Sequence, residues 1–137
     1  MANRLVKWVL YTIIFAFIPI SVSLLLTYLI GAEKNISDFN NEVLFFTIMI
    51  CSTSLSDIVT LNKKIKDFLL TIFSAFFILL VLFSTVMYGS MIYGDINDLL
   101  ADVFKERVFY ISVILAFIAS ILGTIIQILL SRTEVDL

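Results

Sequence analysis

The sequence has no histidine, one cysteine (Cys51) and one proline (Pro19) among 137 residues. Without histidine the chain lacks the commonest general base, metal ligand and haem ligand. One cysteine can neither close an internal disulfide nor build a thiolate metal cage. There is also no zinc motif, no paired intramembrane acids and no glycine-rich phosphate loop. The chain is therefore expected to be no enzyme and to carry no cofactor or metal. No Pro-rich linker and no repeat of fixed period divides it.

What is present is apolar: 61% of the residues are hydrophobic. A soluble domain of this length cannot hide so much apolar surface. Runs of about 18 or more such residues mark membrane helices. Four are predicted, over about 8–30, 43–61, 68–93 and 108–130. They occupy most of the chain, so 1–137 reads as a single transmembrane domain. The predicted fold class is an all-α membrane protein, a four-transmembrane-helix bundle.

The first run is long for a signal-peptide core, and Ile30 stands where a cleavage site would want a small residue. An uncleaved span fits better. Trp8 and Tyr11 at one end and Tyr28 at the other are expected to anchor at the interface. Pro19 is expected to kink the helix. Thr12, Ala16, Pro19, Ser23 and Thr27 share one stripe, expected to face protein. Gly31 is expected to stop the helix. The tight basic turn at 62–67 makes spans two and three an antiparallel hairpin. A short amphipathic helix is expected over about 95–107, either on the membrane or continuous with the last span. In that last span Ser112, Ala116, Ala119, Ser120, Gly123 and Gln127 form a small-residue stripe, suited to close helix packing.

Orientation follows from Lys and Arg alone. Arg4, Lys7, Lys63, Lys64, Lys66 and Arg132 fall on one side; Lys34, Lys105 and Arg107 fall on the other. Both termini are thus expected in the cytoplasm, with the chain a multi-pass protein of the inner (cytoplasmic) membrane.

The second span departs from the others. Its latter half, 47–60, carries Thr47, Cys51, Ser52, Thr53, Ser54, Ser56, Asp57 and Thr60. Thr47, Cys51, Ser54 and Asp57 follow steps of four, three and three. They are the expected pore-lining set, since hydroxyls replace part of an ion's hydration shell and small side chains leave room. Packing between helices, with hydroxyls bonded to carbonyls one turn back, is the competing reading. Asp57 lies near the cytoplasmic end of its span, where it could attract cations or sit among headgroups.

Two further sets are candidates. Asp95, Asp98, Asp102 and Glu106 would form an outer acidic face, able to concentrate cations around an oligomer or merely to meet solvent. Arg4, Lys7, Lys63, Lys64 and Lys66 suit a cytoplasmic anionic ligand, such as a nucleotide or oligonucleotide, or anionic lipid.

Small four-span proton-coupled exporters resemble the chain in length and span count, but they carry a Glu in the first span, and this chain has none there. Phage holins are similar in size but typically end in a basic tail; here Glu134 and Asp136 outnumber Arg132. With its four spans, its Ser/Thr-rich stretch at 47–60 and its basic inner turn at 62–67, the chain resembles small multi-span membrane effectors of bacterial anti-phage defence. The likeness is one of architecture and carries no residue roles. It implies a membrane effector that oligomerises into a channel or disrupts the bilayer. Four helices of this size enclose a packed core rather than a water-filled hole, so a conducting path needs several chains around an axis. The expectation is a homo-oligomeric ion channel or membrane pore, controlled from the cytoplasmic side, with the lipid bilayer and inorganic ions as partners. The alternative is a non-conducting accessory or assembly subunit of a membrane complex.

Overall fold

The structure, a computed structural model, describes residues 2–31, 35–62, 68–96 and 102–135. Helix α1 (Ala2–Trp8) passes through a π-helical turn (Val9–Ile13) into α2 (Ile14–Ile30). Gly31 ends α2 at φ 67°, a left-handed conformation in which an L side chain would be strained. A short 3-10 turn (Ile36–Phe39) follows, capped where the Asp38 carboxylate accepts the Asn35 N–H at 2.9 Å. Then come α3 (Asn40–Asn62), α4 (Phe68–Ile96) and α5 (Asp102–Val135). Counting α1 and α2 as one rod, four helices are long and apolar enough to cross a membrane.

The amphipathic helix expected over 95–107 is not a separate element among the described residues. Asp95 belongs to the last turn of α4, and Asp102 opens α5, which runs unbroken for 34 residues. Nothing between Asp102 and the apolar run breaks a helix: no Gly or Pro intervenes, so the charged turns simply continue into the span.

α3 is the hub. It packs chiefly against α4 and α5 and less against α2, whereas α4 and α5 meet each other far less. The pattern of buried residues explains this. On α3 they are Asn40, Leu44, Thr47, Cys51, Ser54 and Ile58, with Phe46 and Ile50 beside them. The main series alternates steps of four and three. On α4, Leu70, Phe77, Ser84 and Met91 recur every seven, with Leu80 between. A repeat averaging 3.5 residues is the seam of helices that coil left-handed around each other. The small residues Ser112, Ala116, Ala119 and Gly123 of α5 are buried as well, and they allow its backbone to come close.

α2 is the peripheral helix. Most of its large apolar side chains are exposed. Along the first rod the expected stripe is covered or partly covered: Thr12 of the π-turn and Ala16 of α2 are buried, and Pro19, Ser23 and Thr27 are half-buried. Phe17 of α2 meets Phe46 of α3 edge to face, with ring centroids 4.9 Å apart. Tyr11 and Tyr28 are exposed, but Trp8 is not; only 5% of it is accessible. Trp8 therefore does not face outward as an anchor. The π-turn accounts for its position. In an α-helix, residues four apart drift by about 40° around the axis. A π-turn has more residues per turn and offsets that drift. Trp8, Thr12 and Ala16 consequently all point inward.

Candidate functional site

Three of the four expected lining residues lie inside the chain's own packing. Thr47, Cys51 and Ser54 are fully buried, and Asp57 is half-buried. Thr47 donates to the Val43 carbonyl at 3.1 Å, and Thr53 to the Met49 carbonyl at 2.9 Å. These bonds satisfy the hydroxyls within their own helix. Cys51 belongs to the main apolar core with Phe77 and Ala119. Within one chain, then, this stripe faces neighbouring helices rather than an open path.

Ser54 points to a tight junction of three helices. A Cβ added at Gly123 would sit 2.7 Å from Trp8 Cζ2 and 3.1 Å from Ser54 Oγ. So α1, α3 and α5 meet over a residue with no side chain. The Trp8 Nε1 and Ser54 Oγ are both buried there without a hydrogen-bond partner.

Asp57 takes part in a polar network at the same end of the bundle. Gln127 Nε2 donates to Asp57 Oδ2 at 2.6 Å, and Arg4 Nε donates to Gln127 Oε1 at 3.0 Å. Gln127, almost fully buried, thus bridges α1 and α3 from α5, a role its place in a small-residue stripe did not reveal. Around the network lies a cavity of about 270 Å³, lined by Arg4, Lys7, Trp8, Tyr11, Thr12, Asp57 and Gln127. It holds charges of both signs at the terminus of three helices. Gln127→Leu is expected to cost about 1–3 kcal/mol, because two polar groups lose a partner in a partly buried setting. Ser120→Ala, whose hydroxyl serves only its own helix, should stay within about 0.5 kcal/mol. Denaturant unfolding in detergent micelles measures both.

The outward face of α3 is polar too. Ser52, Ser56 and Thr60, at steps of four, are all exposed. With Leu55, Val59 and Val81 they line a shallow groove of about 340 Å³ between α3 and α4. Thr60 donates to the Ser56 carbonyl at 2.8 Å. Of the outer acids, Asp102 and Glu106 are exposed on the first turns of α5, Asp95 lies on α4, and Asp98 falls outside the described residues. Of the basic set, Arg4 and Lys7 line the cavity just described, while Lys63, Lys64 and Lys66 fall outside the described residues. Among the described residues, no three His, Cys, Asp or Glu side chains gather as a metal site. No protein-family model, curated protein or solved structure matches the chain.

Proposed function

We propose that this chain is one subunit of a homo-oligomeric membrane channel or pore, in which the outward hydroxyl face of α3 meets the shared axis. The observation that carries this reading is the exposure of Ser52, Ser56 and Thr60 along one face of a helix apolar enough to cross a membrane. Lipid offers these hydroxyls nothing, whereas ions, water and neighbouring chains do. The buried series Thr47, Cys51 and Ser54 then holds the subunit together, and the lining shifts one face around the same helix. The excess of Lys and Arg at the end bearing Arg4, Lys7 and Arg132 orients that end to the cytoplasm. There the Arg4–Gln127–Asp57 network ties the first span to the hub helix, and a nucleotide or other anionic effector drawn to Arg4 and Lys7 would loosen it. Such a protein is a gated membrane effector of the kind found in anti-phage defence.

A second reading has its own support. Leu55, Val59 and Val81 flank the hydroxyls in the groove, which suits a non-conducting assembly subunit whose groove receives another helix.

Native mass spectrometry and bilayer recording separate the two. A closed oligomer that conducts, and whose Ser56→Cys variant is blocked by charged thiol reagents, is the expected result. The unsubstituted chain is the control, because its only cysteine is buried. An oligomer that never conducts, or a chain that is monomeric on its own, would overturn the channel and leave the assembly reading.

A further inference from the structure

At the opposite end of the bundle, α2, α3 and α4 border a second, open-sided cavity of about 270 Å³, lined by Pro19, Asn41, Glu42, Phe45 and Tyr88. Its polar chemistry is one-sided. Glu42 Oε2 and Asn41 Oδ1 are buried and accept no hydrogen bond. Neighbouring Asn40 spends its Nδ2 on the Lys105 carbonyl at 2.8 Å, tying α3 to α5, and its own Oδ1 is also without a donor. Among the described residues, no Lys or Arg lines the cavity. A buried carboxylate oxygen without a donor is costly, and the cost disappears when a cation with N–H groups arrives. Phe45 and Tyr88 supply aromatic rings, which attract cations to their faces.

These features select among cations. A calcium ion takes 6–8 oxygen ligands, and among the described residues this lining offers one carboxylate, one amide oxygen and one phenol. An organic ammonium needs less: a carboxylate for its charge, acceptors for its N–H groups and rings for its carbons. The volume falls just below the roughly 300–1,000 Å³ of pockets for drug-sized ligands, so the occupant is small. Phe45 is exposed at the rim, which opens the cavity to the side.

We propose that this cavity binds a primary ammonium group, held by Glu42 and Asn41 and flanked by Phe45 and Tyr88. The group can come from an aminophospholipid headgroup or from a free amine. The site does not depend on whether the chain conducts.

The test uses the full chain in detergent. Native mass spectrometry compares retention of phosphatidylethanolamine with phosphatidylglycerol of the same acyl chains. Thermal unfolding compares n-butylamine with n-butanol. A preference on the order of tenfold for the amine partner is expected in one arm, the size of one charge-assisted contact. Preference among the phospholipids alone identifies a headgroup; stabilisation by butylamine alone identifies a free amine. Glu42→Gln, which keeps the shape and removes the charge, should abolish the preference. Tyr88→Leu, which keeps apolar bulk, should weaken it. No preference in either arm, or one that survives Glu42→Gln, would overturn the proposal.

Discussion

Trp8→Ala is expected to lower the stability of the folded chain by about 3–5 kcal/mol. The indole is 5% accessible and belongs to the main core cluster. Its removal leaves a void where α1, α3 and α5 converge. The Arg4–Gln127 hydrogen bond ties two of these helices, α1 and α5, nearby. The reciprocal change, Gly123→Ala, adds a methyl group 2.7 Å from the ring edge. A rigid indole cannot yield as a flexible side chain would, so this overpacking should cost about 1–3 kcal/mol. Combined, the two substitutions should compensate, because the new methyl fills part of the new void. Their coupling should reach about 0.5–3 kcal/mol, as found for residues in direct contact. Denaturant unfolding of all four proteins in one detergent completes the cycle. Strict additivity would mean that the ring and the glycine do not meet.

The second large effect is a contrast between two serines two positions apart on α3. Ser54→Leu should unfold or disorder the chain. The residue is fully buried, and its Oγ lies 3.1 Å from the point where a Gly123 Cβ would stand. Three extra carbons have nowhere to go, and the strain should be at least about 1–3 kcal/mol. Ser56→Leu should leave the folded subunit within about 0.5 kcal/mol of the parent, since the site is exposed. On the proposed function it should nevertheless abolish conduction or assembly, because it greases the face that meets the axis. Circular dichroism and unfolding report the first effect; native mass spectrometry and bilayer currents report the second. Loss of conduction from Ser54→Leu without any loss of folding would contradict the packing described here.

These contrasts show where the sequence was legible. The helix class, the four apolar rods and the stop at Gly31 follow from run length and from a residue that tolerates positive φ. The small-residue stripe of α5 was legible as a packing face. The face of α3 was harder. Thr47, Cys51 and Ser54 attract notice as polar residues in an apolar run, and polarity alone suggests a lining. The same positions belong to a longer series with Asn40, Leu44 and Ile58, alternating four and three. That series is a helix-packing seam, and its apolar members disclose it. Asp57 breaks the rhythm by one position; Ile58 holds the buried place, and Asp57 turns aside toward Gln127. Trp8 was misleading for a related reason. Aromatics at the ends of apolar runs usually mark an interface, but the seat for this ring is a glycine 115 positions away, and no local pattern announces it. The π-turn was likewise invisible, since no residue type in Val9–Ile13 demands one.

The Trp8–Gly123 junction and the Arg4–Gln127 bond also bear on how the protein is made. Both join α1 to α5. In the proposed membrane setting, the first rod leaves the ribosome with its indole and its guanidinium lacking the groups that will receive them. α3 and α4 can pair as soon as they emerge, because they pack directly on one another. The first rod can already pack on α3 through α2, where Phe17 meets Phe46, but its Trp8 and Arg4 contacts need the second half of α5. A chain cut short before Gly123 would keep the α3–α4 pair and the α2–α3 contact yet leave the Trp8 end of the first rod without its seat.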